Sequence, residues 1–99
     1  MVLLLALSAG LALGADDWPA YGHDAGGTRF SALQQIHTGN VAALKVAWIY
    51  HTRALEPVSD LNHKAAFEAT PILFEGSLYL STPFDQVIAL NPATGAERW

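Results

Sequence analysis

Apolar and polar positions divide this chain into three kinds of segment. Residues 2–13 are apolar almost without interruption and carry no charge. Residues 17–44 and 53–65 show no clean period; the first is rich in Gly, and the second is largely polar. Residues 45–52 and 69–99 hold short apolar runs with a period near two, the pattern of β-strands. In 45–52, Val46, Trp48 and Tyr50 fall on one face and Ala47, Ile49 and His51 on the other. Both faces are largely apolar, which predicts a strand covered on both sides. Farther along, 69–74, 77–81 and 87–90 read as three strands, with Leu78 and Leu80 on one face of the second and Tyr79 on the other. Glu75-Gly76 is a tight-turn signal of the Asp-Gly hairpin type. Asn91-Pro92-Ala93-Thr94-Gly95 is a second turn: Asn bonds its own backbone, Pro presets φ and Gly supplies a left-handed residue. Glu97-Arg98-Trp99 begins a fourth strand. The expected fold class is all-β, an antiparallel meander of the kind that builds one propeller blade.

The aperiodic segments predict loops. Trp18-Pro19 disfavours helix at Trp18, and Asp24-Ala25-Gly26-Gly27-Thr28 is a turn-rich tract. Gly26-Gly27-Thr28-Arg29 is not followed by Gly-Lys-Ser or Gly-Lys-Thr, so it is not a phosphate loop. One short turn of helix is expected at 31–36, and another at 41–44 capped by Thr38 or Asn40. Residues 53–65 hold Pro57 and read as a long loop.

The first apolar run changes the picture of the mature protein. It is shorter than the roughly 20 apolar residues a membrane-spanning helix requires, but has the length of a signal-peptide core. Ala12-Leu13-Gly14 places small residues at the −3 and −1 positions of a cleavage site after Gly14. Residues 1–14 are therefore expected to be a removable signal peptide. No Lys or Arg precedes the apolar core, unlike most such signals. The alternative is a buried helix of the domain, and Gly10, Gly14 and the absence of a polar face count against it.

Of the 99 residues, 52% are hydrophobic, a figure the leader inflates, and the formal net charge is −4. A negative chain with few, scattered Lys and Arg is not expected to bind nucleic acid, which requires a basic face. The absence of Cys excludes a disulfide framework, a zinc–thiolate site and a cysteine nucleophile within these residues. His23, His37, His51 and His63 are too widely spaced for a local metal-ligand pattern. Asp16-Asp17 reads as a solvated pair at a new N-terminus, and no Ser-His-Asp arrangement is apparent. Trp48 and Trp99 sit at strand positions, where packing is the ordinary role.

Several stretches together resemble one family, the pyrroloquinoline quinone (PQQ)-dependent glucose and alcohol dehydrogenases. Ala89-Leu90-Asn91-Pro92-Ala93-Thr94-Gly95-Ala96-Glu97-Arg98-Trp99 resembles the tryptophan docking motif of quinoprotein propellers, Ala-x-Asp-x-x-Thr-Gly-x-x-x-Trp, with Asn91 in place of the usual Asp. Trp18-Pro19-Ala20-Tyr21-Gly22 followed by Gly27-Thr28-Arg29-Phe30-Ser31 resembles the family's N-terminal arm, with Ala32 where Pro is common. Asn40-Val41 and Leu44-Lys45-Val46-Ala47-Trp48 resemble the strand that closes the ring onto the last blade. Phe67-Glu68-Ala69-Thr70-Pro71 and Leu78-Tyr79-Leu80-Ser81-Thr82-Pro83 resemble the opening of blade one.

The resemblance implies an eight-bladed quinoprotein β-propeller, of which 15–66 is the N-terminal arm with the ring-closing strand at 45–52, and 67–99 the first, incomplete blade. It implies PQQ and Ca²⁺ as cofactors held mainly by residues beyond Trp99, where the catalytic base and Ca²⁺ ligands are also expected. Glu68 is the one residue here expected to touch PQQ. Trp99 is expected to pack between blades, with Gly95 admitting the neighbouring turn. The implied enzyme is periplasmic and oxidises a glucose-type sugar, an alcohol or a polyol. Its electrons pass to ubiquinone or a cytochrome c, and the wording is most similar to the membrane glucose dehydrogenase branch. The rival reading is a non-enzymatic propeller scaffold of the outer-membrane assembly type, against which the carboxylate in Phe67-Glu68-Ala69-Thr70-Pro71 argues. An unrelated exported all-β module is the third, against which the docking motif argues.

Overall fold

Glu75 and Gly76 reverse the chain with φ of 46° and 71°. Two successive positive φ values define the two-residue turn whose twist matches paired strands. In the computed structural model, which describes residues 17–55 and 62–99, that turn joins β1 (Ile72–Phe74) to β2 (Ser77–Ser81). The leader, the cleavage site and Pro57 lie outside the described residues. β1 and β2 are antiparallel, with Phe74 opposite Ser77 and Ile72 opposite Tyr79. β2 then pairs antiparallel with β3 (Val87–Leu90), placing Leu78 opposite Leu90 and Leu80 opposite Ile88. The sheet order β1-β2-β3 follows the chain, the expected meander.

The connection between β2 and β3 closes on itself. Thr82 donates its N–H to Gln86 O at 2.9 Å and accepts the Gln86 N–H on Oγ1 at 3.3 Å. After β3, Asn91 Oδ1 accepts the N–H groups of Ala93 and Thr94, and Gly95 N–H closes on Asn91 O at 2.8 Å. Gly95 has φ of 71°, a conformation that favours glycine. The Asn side chain thus satisfies donors that the turn leaves free, and the chain returns beside β3 through a bridge of Leu90 to Glu97.

That return is bulged. Arg98 and Trp99 both direct their N–H groups to Ala89 O, at 2.7 and 3.5 Å, while Ala89 N–H donates to Trp99 O at 2.8 Å. Two residues opposing one form a β-bulge. It brings both side chains to the face that carries Tyr79. Arg98 Nη1 donates to the buried Ser77 hydroxyl, and the Trp99 ring tilts against Tyr79 with centroids 6.1 Å apart.

The opposite edge of the sheet is met by the arm. Trp18 and Leu73 exchange N–H···O bonds of 2.7 and 3.0 Å, an isolated antiparallel bridge. Beyond it the arm turns through a loop in which Asp24 Oδ1 and Oδ2 accept the Thr28 N–H and Oγ1–H at 3.0 and 2.5 Å. The side-chain bond from Thr28, with its backbone bond second, holds the Asp24 carboxyl below its ordinary value.

Three local expectations differ from the structure. Residues 31–36 form no helix: the segment is extended or bent. Of the two expected helical turns, the second forms, as the 3-10 turn Val41–Ala43, and a further 3-10 turn, Asn62–Lys64, lies within the segment expected to be a loop. Asn40 occupies the N-cap of Val41–Ala43, but its side chain instead accepts from His37 N–H and donates to Gln35 O, stitching the preceding loop. Residues 45–52 form no strand ladder with any of the described residues. A β-strand is completed by a neighbour's hydrogen bonds, and none of the described backbone supplies them. From 48 onward the alternation survives: Trp48, Tyr50 and Thr52 are partly covered, whereas Ile49 and His51 are exposed; Val46, on the Trp48 face, is 78% exposed, so that face is not covered along its whole length.

The apolar core is small. Ile88, Ala89 and Leu90 of β3 are the buried apolar residues among those described. Removing Ile88 and Leu90 from water contributes about 1.5–3 kcal/mol each. Tyr21, Phe30, Ile36, Leu44, Val46, Ile49 and Trp99 remain exposed.

Candidate functional site

Two features of the sheet carry candidate chemistry: a seam where residues 48–52 lie against it, and a recess at the end opposite the Glu75-Gly76 turn. In the seam, Trp48 Nε1–H donates to Pro92 O at 3.0 Å. The Trp48 ring lies so close to Gly95 that a Cβ built there would stand 2.5 Å from ring carbons Cδ2 and Cε3. Two residues on, the Tyr50 hydroxyl donates to Glu97 Oε2. That bond to a carboxylate raises the Tyr50 pKa, because ionising the phenol would lose the bond and set two negative charges together. The period of two in 48–52 places both anchors on the blade side of the segment.

The recess, about 250 Å³, is lined by Ala66, Phe67, Glu68, Ala69, Ser81, Thr82 and Pro83. It forms because the residues preceding β1 and those ending β2 meet at the open end of the hairpin. Glu68 is exposed, and its carboxylate makes no hydrogen bond to another described residue. Phe67, Ala69 and Pro83 give the recess apolar walls, and Thr82, 8% exposed, gives it a fixed floor through its bonds to Gln86.

A family model described as the β-propeller domain of PQQ glucose/ethanol/alcohol dehydrogenase matches residues 18–99. The chain belongs to that family. Among curated proteins, it is 42% identical over 83 residues to quinoprotein glucose dehydrogenase A of Acinetobacter calcoaceticus, covering 84% of this chain and 10% of that protein. It is likewise 42% identical over 83 residues to the glycerol dehydrogenase large subunit of Gluconobacter thailandicus, covering 84% of this chain and 11% of that protein. Identity to the 1-butanol dehydrogenase (cytochrome c) of Thauera butanivorans is 35% over 83 residues, with 84% and 11% covered. The chain therefore spans about a tenth of the length of the curated relatives it matches. No solved structure matches it.

The recess suits part of the cofactor this family implies. PQQ is a flat ring system with a pyrrole N–H, quinone carbonyls and carboxylates. An unengaged carboxylate at Glu68 and a hydroxyl at Ser81, between apolar walls, suit one edge of such a molecule. The volume is below the roughly 300–1,000 Å³ of a complete ligand pocket, so these residues form one wall. Calcium is a different matter. Among the described residues no group of three or more His, Asp or Glu gathers that could hold a metal ion.

Within the family's docking motif, the structure assigns positions that sequence reasoning left apart. Gly95, expected to admit a neighbouring turn, is met here by the ring of Trp48. A signal was available, since Trp48 ends the Leu44-Lys45-Val46-Ala47-Trp48 stretch just as Trp99 ends the motif, but pairing them requires knowing that 48–52 crosses over the Asn91–Gly95 turn. Trp99 itself rests on Tyr79 and is 62% exposed. The Tyr50 to Glu97 bond carried no sequence signal.

Proposed function

We propose that this chain is part of an exported, periplasmic PQQ-dependent dehydrogenase that oxidises the CH–OH group of a glucose-type sugar, an alcohol or a polyol. Electrons pass onward to ubiquinone or a cytochrome c. The observation that carries this reading is the family match across 18–99 together with a free carboxylate, Glu68, on an apolar-walled recess. The named relatives are sugar, polyol and alcohol dehydrogenases, which favours an enzyme over a scaffold propeller. Bound PQQ supplies the two-electron acceptor for hydride from the substrate carbon.

The residues of this chain do the binding and framing. Glu68 accepts a hydrogen bond from the cofactor's edge, while Phe67 and Pro83 keep water from that edge. Trp48 and Tyr50 fasten the arm over the blade. Trp99, exposed beside its bulge, is offered to the next blade as Trp48 is offered to Gly95. The base and the Ca²⁺ ligands belong to the remainder of the polypeptide. The leader at 1–14 supports export.

Titrating the full-length apoprotein with PQQ in the presence of Ca²⁺ tests this, alongside dye-linked oxidation of glucose, glycerol and butanol. Saturable PQQ binding that falls roughly tenfold in Glu68→Gln is expected, the effect of removing a charged hydrogen-bond acceptor. No PQQ binding by the wild-type protein would refute the enzyme reading.

A further inference from the structure

The recess has a second polar side chain that no resemblance singled out. Ser81 ends β2 opposite Val87 and is exposed. Its hydroxyl makes no hydrogen bond to another described residue, yet it lines the same recess as Glu68. The ladder explains the coincidence. Ile72 opposes Tyr79, so counting back in twos along the chain before β1 and forward along β2 brings Glu68, Thr70, Tyr79 and Ser81 to one face. That is also the face on which the bulge sets Arg98 and Trp99.

Ser81 is also rigidly placed. Its neighbour Thr82 is buried and locked to Gln86 by its N–H and its hydroxyl. Pro83 follows, with its φ fixed by the ring. On the other side, Ser81 lies in the β2–β3 ladder. A hydroxyl held at a strand end between a buried lock and a ladder loses little freedom when it takes a ligand, which is the condition for a preorganised contact.

We propose that Ser81 is a second contact for PQQ, its hydroxyl donating to a quinone or carboxylate oxygen of the edge that Glu68 accepts from. This rests on the reading of the recess as one wall of the PQQ site. Glu68 accepts and Ser81 donates, so the pair selects an edge carrying both an N–H and an oxygen. A ligand offering acceptors alone would be repelled by Glu68.

The test is equilibrium titration of full-length apoprotein with PQQ and Ca²⁺, followed by fluorescence quenching, on wild type, Ser81→Ala, Glu68→Gln and the double variant, with melting curves of each apoprotein. Ser81→Ala is expected to weaken PQQ binding roughly three- to tenfold, the worth of one net hydrogen bond, with no change in apoprotein melting temperature. Loss of affinity in both single variants, with less than multiplicative loss in the double, is the supporting result. Wild-type affinity in Ser81→Ala with weakened binding in Glu68→Gln overturns the Ser81 assignment and leaves the recess reading intact. Wild-type affinity in both single variants overturns both.

Discussion

Replacing Gly95 by Ala perturbs the seam at its tightest point. Two costs arise, and the structure separates them. Gly95 has φ of 71°, so an L-residue there incurs about 1–2 kcal/mol of backbone strain. The new methyl would also stand 2.5 Å from the Trp48 ring, closer than any real contact. The ring cannot slide away freely, because Nε1–H is held by Pro92 O at 3.0 Å. Displacing it sacrifices that bond, about 0.5–1.5 kcal/mol net, and part of the ring's packing. The expected total is about 2–4 kcal/mol. In a Trp48→Ala background only the backbone part should remain. The assay is a double-mutant cycle on the full-length protein, read by denaturant melts and by proteolytic nicking within 45–55. A Gly95→Ala cost that is equal in the two backgrounds would refute the assignment of Trp48 as the group seated on Gly95.

Three further outcomes are expected. Tyr50 has a pKa raised above its ordinary 10.0 by its bond to Glu97. Its contribution is therefore complete below about pH 10 and is lost as pH rises through the folded value; Tyr50→Phe should abolish this alkaline loosening of 45–55, measured by limited proteolysis across pH 8–12. Asp24 is shifted the other way, below 3.8, so the loop it closes onto Thr28 is held above the ordinary carboxylate range and released as pH falls through the folded value; hydrogen exchange at Thr28 should rise there in wild type and at neutral pH in Asp24→Ala. N-terminal sequencing of the exported protein should begin at Ala15 or Asp16, and a mature chain retaining residues 3–13 would remove the periplasmic assignment.

What could be read from the chain by itself was whatever depends on neighbours in sequence. The strands around Glu75-Gly76 and the Asn91–Gly95 turn were legible because turn residues state their φ requirements locally and side-chain period states the face. Glu68 was legible only through its flanking pattern, since an exposed carboxylate before a strand is ordinary in itself. The helical turn expected at 31–36 failed because propensity without an apolar stripe to bury does not hold a helix.

The tertiary structure decided everything that depends on what lies across space. Residues 45–52 alternate as a strand does, yet a ladder needs a partner, and pattern alone supplies none. The bulge at Arg98-Trp99 arises from how two residues share Ala89 O, which no side chain announces. Trp48 meets Gly95, Tyr50 meets Glu97, and Ser81 joins Glu68 in one recess only once the register of β1 and β2 and the path of 48–52 over the sheet are known. Those meetings join residues 13 to 47 positions apart, so no local rule of spacing could have matched them; geometry did, because paired strands align distant residues while fixing which side each faces.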